Sequence, residues 1–144
     1  MPRAKTGIKL YIDGLDMHLE SGVPVGNMIL LSGTAGSMKS TLAYNVLYHN
    51  AIHSGLGGIY ITLEESKEKL LDQMDSFGMD YKKVRDKLVI IDLAPIRRSM
   101  QKSTEKTPWI DFLKMQIRST MERGNFKLLV IDSLNVLELL ARFK

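Results

Sequence analysis

The sequence predicts an α/β fold in which helices cover both faces of a mostly parallel, doubly wound sheet. Three observations support this prediction. Apolar, β-branched stretches alternate along the chain with segments of helical periodicity. The apolar stretches show little polar alternation, as expected of strands that are buried on both faces. A glycine-rich segment also separates the first apolar stretch from the first helical pattern.

The chain begins with residues that carry the glycine and proline spacing of turns, mainly between 8 and 26. We therefore predict one domain over 1–144, with a lead-in over 1–27 and a core over 28–144. The lead-in is expected to bury its leucines and isoleucine, namely Leu10, Ile12, Leu15 and Leu19. Its Asp13, Asp16 and His18 resemble a metal-binding trio, but turn chemistry explains the two aspartates better.

Four strands are predicted, at about 28–32, 57–63, 87–93 and 127–133. Helices are predicted from Lys39 to Gly55, over 67–76 with Ser66 as N-cap, and from Thr107–Pro108 to about 123. A short helical turn is expected near 80–85, and residues 94–107 are predicted to form a loop. The helices are expected to bury Leu42, Val46, Leu47, Ile52, Leu70, Leu71, Met74, Ile110, Leu113, Ile117 and Met121.

The glycine-rich segment between the first strand and the first helix has the character of a phosphate-binding loop. It consists of Gly33, Thr34, Ala35, Gly36, Ser37, Met38, Lys39, Ser40 and Thr41. Backbone N–H groups in such a loop form an anion nest, and the following helix adds free N–H donors and the positive end of its dipole. We expect Lys39 to contact the outer phosphates and Ser40 to offer a hydroxyl to Mg²⁺.

One position of this loop departs from the full pattern G-x-x-x-x-G-K-[ST], because Met38 stands where the second glycine is expected. Either Met38 adopts a negative φ, or the loop stores strain of about 1–3 kcal/mol.

Three carboxylates are expected at the edge of the sheet that the loop occupies, because right-handed crossovers bring the carboxyl ends of parallel strands together. Asp132 ends the run Leu-Leu-Val-Ile-Asp, which is typical of a Walker B strand that supports Mg²⁺. Glu64 and Glu65 follow the second strand directly. One of them is expected to orient a water beside the γ-phosphate, since adjacent residues point in different directions.

Composition limits the other possibilities. The 144 residues contain no cysteine, which excludes disulfides and thiolate metal sites and fits a cytoplasmic setting. No apolar run reaches the length needed to cross a membrane. The net charge of +4 permits an anionic ligand without arguing for nucleic acid.

These motifs together resemble the KaiC-like branch of the RecA superfamily. The resemblance rests on Gly22–Gly26, the phosphate-binding loop, Ile59–Ser66, Phe77–Asp80 and Leu129–Ser133, and it spans nearly the whole chain. It implies a RecA-like P-loop NTPase fold, ATP as nucleotide, Mg²⁺ as metal, and assembly into rings or filaments. It also implies that Glu64 activates water, with Glu65 in support and Lys39 on the phosphates. Domains of this family continue well beyond the Walker B strand, and their next strand inserts between that strand and the P-loop strand. We therefore expect the sheet to be incomplete here, as in a fragment or a truncated reading frame.

Two alternatives to an ATPase remain open. A nucleotide sensor that binds ATP, changes partners and hydrolyses slowly or never is favoured by Met38 and by the expected lack of the family's C-terminal part. A DNA-binding recombinase relative is supported only by the basic residues Arg97, Arg98, Lys102 and Lys106, which lack interleaved aromatic residues for base stacking. A GTPase is less consistent with the sequence, because the Asn-Lys-x-Asp motif is absent.

Overall fold

A computed structural model describes residues 7–19, 21–100 and 109–142 of the chain. The helices are α1 (Lys39–His49), α2 (Lys67–Ser76), α3 (Ala94–Met100), α4 (Trp109–Met121) and α5 (Leu134–Arg142). The strands are β1 (Gly57–Thr62), β2 (Leu88–Asp92) and β3 (Phe126–Asp132). A π-helical segment, Asn50–Ser54, extends α1, and 3-10 turns span Asp16–His18 and Tyr81–Lys83. Within these described ranges, no helix is long and apolar enough to cross a membrane.

The three strands form one parallel sheet in the order β2-β1-β3. The register pairs Thr62 of β1 with Asp92 on one side and with Asp132 on the other. All three strands therefore end at one edge of the sheet, as the sequence predicts.

Helices cover both faces of this sheet, which confirms the predicted α/β class. On one face, Tyr60 and Ile90 pack with Tyr44 and Leu47 of α1 and Met74 of α2. On the other face, a second cluster joins strand residues to α4 and α5; its buried members are Ile59, Ile61, Leu63, Leu93, Trp109, Leu113 and Val136. Alternate residues of β1 thus enter opposite cores, as expected of a central strand.

The predicted first strand is absent. Residues 28–31 adopt no regular structure and pair with no strand. Their side chains are exposed, including Met28 at 96% and Leu30 at 70%. The prediction was wrong because apolar character does not make a strand unless a neighbouring strand offers its backbone groups. The outer edge of β3, where such a neighbour would pair, is unoccupied among the described residues.

The predicted loop over 94–107 was also wrong in part, because Ala94–Met100 forms α3. Asp92 explains the helix: its Oδ1 accepts a hydrogen bond from the Ala94 backbone N–H at 3.0 Å and stabilises the start of the segment. Residues 101–108, and with them Lys102, Lys106 and the predicted helix start at Thr107–Pro108, lie outside the described residues.

The other helix predictions agree with the structure more closely. The Ser66 hydroxyl accepts from the Lys69 backbone N–H at 3.3 Å, which confirms the predicted cap of α2. Four residues that were expected to be buried are exposed instead, namely Leu15, Ile52, Ile110 and Met121. The buried face here is built from Tyr44, Leu47 and Tyr48 of α1 and from Ala51 of the π-helical segment, whereas Ile52 of that segment is exposed.

Helix α1 approaches β1 closely at one glycine. A Cβ placed on Gly58 would lie 2.9 Å from the Cδ2 of Leu47, closer than real Cβ atoms come to their neighbours. The absence of a side chain at position 58 therefore leaves room for Leu47 in its observed position between α1 and the sheet.

The described part of the lead-in folds back on itself and packs on α1. Ile8 and Val23 form an antiparallel bridge. The Asp16 carboxylate accepts from the backbone N–H groups of Leu10 at 3.0 Å and Ile12 at 3.3 Å, so this aspartate serves a turn, as predicted. Asn45 donates to the Tyr11 carbonyl at 3.1 Å and thereby fixes the lead-in to the helix.

Candidate functional site

The candidate site lies where the carboxyl end of the sheet meets the amino end of α1. Parallel strands expose their carboxyl ends at one edge, and ligands of open α/β sheets bind there. The register brings Thr62, Asp92 and Asp132 to this edge. Of the two aspartates, Asp92 has a structural role, because its carboxylate accepts hydrogen bonds from the backbone N–H groups of Lys67 and Ala94.

The glycine-rich loop is exposed from Gly33 to Met38 and leads directly into α1. Gly36 has a φ of +78°, which a residue with a side chain rarely adopts. Helix α1 begins without a side-chain cap, so its first N–H groups remain directed toward the loop and available to an anion.

Met38, the N-cap residue of α1, has φ +61° and ψ +27°. This is the left-handed conformation that the glycine of the full motif would adopt without cost. Of the two possibilities that the sequence left open, the structure has the strained one, with a cost of about 1–3 kcal/mol. The Met38 side chain is about half exposed and is not part of the core.

The ammonium of Lys39 is bound by the loop itself. Its Nζ donates to the carbonyl oxygens of Gly33 at 3.0 Å and Thr34 at 2.8 Å, and lies 3.3 Å from the Ser37 hydroxyl. The positive charge therefore sits across the concave side of the loop, where it can meet an incoming anion.

A buried tyrosine connects the first turn of α1 to the end of β3. The Tyr60 hydroxyl donates to Asp132 Oδ2 at 2.6 Å. Burial raises the pKa of Tyr60, the Asp132 carboxylate raises it further, and the nearby Ser40 hydroxyl opposes these effects. Ser40, Tyr60 and Asp132 therefore form one polar cluster beneath the loop.

Thr41, also in the first turn, has a buried hydroxyl oxygen without a hydrogen-bond partner among the described residues. An unpartnered buried polar atom is costly, so its position beside the loop fits a residue whose partner arrives with a ligand.

The two glutamates that follow β1 point to different places. The Glu64 carboxylate accepts a short hydrogen bond from the Ser133 hydroxyl, directly after Asp132. Glu65 instead forms an ion pair with Lys69, one turn into α2, at 3.0 Å. Only Glu64 is thus held beside the end of β3.

Sequence reasoning missed Tyr60 and Ser133. Tyr60 looked like one more apolar strand residue, and Ser133 like the start of a helix. The sequence does contain a signal for Tyr60. A tyrosine hydroxyl on a strand that is buried on both faces needs a polar partner, and acidic residues stand at the carboxyl ends of strands in the same sheet.

This arrangement defines a class: a P-loop protein with an α/β core of RecA type. A protein-family model described as "ATPase: KaiC" matches residues 8–143. The chain therefore belongs to the KaiC-like ATPase family.

Individual relatives agree with this assignment. A circadian clock oscillator protein KaiC from Picosynechococcus is 39% identical over 90 residues, which is 61% of this chain and 17% of that protein. A UPF0273 protein of Pyrococcus furiosus is 31% identical over 143 residues, which is 94% of this chain and 56% of that protein. The crystal structure of a KaiC-like protein from Pyrococcus horikoshii is similar with a TM-score of 0.75 and 32% identity, covering 92% of this chain and 55% of its own.

Proposed function

We propose that this protein binds Mg-ATP at the loop 33–41 and hydrolyses it to ADP and phosphate. The observation that carries the proposal is the polar cluster of Ser40, Tyr60 and Asp132, which joins the P-loop helix to the Walker B strand. The family name, an ATPase family, supports the choice of nucleotide and reaction.

The phosphates would be bound by backbone N–H groups of the loop and by Lys39. The Lys39 ammonium now satisfies the Gly33 and Thr34 carbonyls, so we propose that it exchanges these partners for β- and γ-phosphate oxygens. The contributing loop residues would be Gly33, Thr34, Ala35, Gly36, Ser37, Met38, Ser40 and Thr41.

Ser40 and Asp132 fit Mg²⁺, because a hydroxyl and a carboxylate are the hard oxygen donors that this ion prefers. Bound there, Mg²⁺ would supply positive charge that offsets the charge developing on the phosphates. Tyr60 would fix the Asp132 carboxylate through its 2.6 Å hydrogen bond, and this makes Tyr60 a positioning residue.

Glu64 is our candidate for orienting the attacking water. Its carboxylate lies at the end of β1 and is held by Ser133, which immediately follows the proposed Mg²⁺-supporting Asp132. Glu65 would assist only indirectly, because its ion pair with Lys69 directs it toward α2.

A second candidate function is nucleotide sensing with little hydrolysis. Two observations favour it: the left-handed φ of Met38 and the Lys39 ammonium already bound to the loop carbonyls. Both oppose tight closure of the loop on the γ-phosphate, and they affect the reaction rate more than binding.

Assembly into a ring or filament is a further part of the proposal. The chain spans about half the length of its archaeal relatives and a sixth of the KaiC proteins. Contacts between subunits are therefore proposed for the whole protein and not assigned to residues of this chain. A role on nucleic acid has little support in the described residues, where Arg97 and Arg98 lie on α3.

Calorimetric titration with Mg-ATP tests the proposal. We expect binding in the micromolar range for the natural sequence and at least about a tenfold loss for Lys39→Ala, because the substitution removes a charge-assisted contact. Absence of binding in the natural sequence together with recovery in Met38→Gly would mean that Met38 disables the loop.

Hydrolysis is measured separately as phosphate release with and without Glu64→Gln, with Glu65→Gln as the matched control. We expect Glu64→Gln to abolish turnover while retaining binding. Equal loss in both variants would contradict the assignment of Glu64, and binding without turnover in the natural sequence would favour the sensor.

A further inference from the structure

Two histidines lie side by side at the far end of α1, away from the phosphate-binding loop. His49 is the last residue of the helix, and His53 follows within the π-helical segment. Their spacing of four residues places them on one face of the helical segment. The Nδ1 atom of His49 lies 3.4 Å from the Nε2 atom of His53, and the two rings are parallel to within 2°.

The distance between these nitrogens matches a shared metal ion. Two zinc–nitrogen bonds of about 2.05 Å at a tetrahedral angle hold their nitrogens about 3.3 Å apart. The observed separation is 3.4 Å. The two nitrogens are at hydrogen-bond distance in the structure, and the same separation is short enough for both to ligate one ion.

Aromatic residues hold the two rings in place. The Tyr11 ring centroid lies 5.6 Å from that of His49 and 5.3 Å from that of His53. The Tyr11 hydroxyl is 2.9 Å from the Ser54 hydroxyl, and Tyr48 packs edge-on against His49. One side of the pair is thereby covered, while His53 remains exposed to solvent and leaves a route for an ion.

We propose that His49 and His53 form a two-imidazole site for a divalent transition cation of the Zn²⁺ class, with water completing its coordination. No group of three histidine, cysteine or acidic side chains converges among the described residues, so the described part of the chain supplies two ligands to this ion. It is chemically distinct from the Mg²⁺ position, because Mg²⁺ prefers oxygen ligands.

The test is a calorimetric titration of the protein, free of any affinity tag, with zinc chloride near neutral pH and without nucleotide. His53→Gln removes one ligand from the exposed end of the pair. His18→Gln is the matched control, since it removes the third histidine of the chain from the turn Asp16–His18. We expect one zinc ion per chain in the natural protein and in His18→Gln, and affinity at least about tenfold weaker in His53→Gln.

Two further measurements keep the proposal falsifiable. Imidazole C–H resonances of His49 and His53, and not those of His18, are expected to shift or broaden with zinc. Affinity is expected to fall as the pH is lowered, because protons compete with zinc for the ring nitrogens. Equal zinc affinity in His53→Gln, selective loss in His18→Gln, or no uptake at about 1 mM zinc would overturn the proposal. Circular dichroism of each variant without zinc verifies that the fold is retained.

Discussion

Two apolar segments of this chain have similar composition but different structures, since one is a buried strand and the other is exposed. Strand β1 carries Ile59 and Ile61 and is buried on both faces, with β2 on one edge and β3 on the other. The segment 28–31 carries Met28, Ile29 and two leucines, yet it is exposed and unpaired. The comparison shows that a strand depends on its neighbours: backbone hydrogen bonds and two covered faces stabilise β1, and neither is available to 28–31.

The same difference is found within the candidate site, where some side chains are held by hydrogen bonds and the glycine-rich loop is exposed. Asp132 ends the paired strand β3 and Glu64 lies two residues beyond β1, and they are held by Tyr60 and Ser133 respectively. The loop from Gly33 to Met38 follows the unpaired segment and is exposed along its length. The part of the candidate site at the ends of the strands is therefore preorganised to a greater degree than the glycine-rich loop.

The largest effect on stability is expected when an isoleucine is replaced by alanine in each of the two segments. Ile61→Ala is expected to lower the free energy of unfolding by about 2–5 kcal/mol, since it creates a cavity in a fully buried position. Ile29→Ala is expected to change it by about 0.5 kcal/mol or less, because Ile29 is 49% exposed. Urea denaturation measures both. Equal losses of unfolding free energy in the two variants would show that residues 28–31 are packed in solution, and the two segments would then not differ in burial.

A smaller effect is expected from the hydroxyl that joins β1 to β3. Tyr60→Phe removes the hydrogen bond to Asp132 and is expected to cost about 1.5–3 kcal/mol in stability. Tyr44→Phe is the matched control, because Tyr44 is equally buried but its hydroxyl has no partner among the described residues. The two denaturation curves should therefore separate. If they coincide, the Tyr60 hydroxyl does not position Asp132.

The smallest change in stability, with the clearest effect on association, is expected from Leu30→Lys. Exposed apolar side chains, together with the edge of β3 that no described strand pairs with, favour contact between copies of the chain. We expect light scattering at high protein concentration to decrease, while the unfolding free energy changes by about 0.5 kcal/mol or less. Gln73→Lys adds the same charge on the exposed side of α2. An equal decrease in that variant would attribute the effect to net charge alone.

Much of the fold follows from patterns that lie within single elements. Continuous β-branched runs identify β1, β2 and β3, and Ser66 marks the start of α2. The acids at the strand ends are likewise visible, because each ends an apolar run. What the patterns do not contain is pairing: whether 28–31 finds an adjacent strand depends on residues far away in sequence.

The site shows the same division. Lys39, Ser40, Glu64 and Asp132 are identifiable from local motifs, and their roles remain proposals. The link through Tyr60 depends on register, since Tyr60 and Asp132 are 72 positions apart and meet only when β1 and β3 align. The left-handed backbone of Met38 was one of two stated possibilities, and the choice required the conformation of the whole loop.

The close contact between Gly58 and Leu47 has a consequence for related sequences. Leu47 lies eight residues from Lys39, about 12 Å along the axis of α1, so the packing of α1 on Gly58 is expected to influence the position of the loop 33–41 at the other end. Positions 47 and 58 are therefore expected to vary together among homologues: where alanine replaces the glycine, a residue smaller than leucine should face it. Homologues with alanine at position 58 and a smaller residue at position 47 would keep the loop at the same distance from the sheet. Homologues with alanine at 58 and leucine at 47 would have the loop shifted away from Asp132.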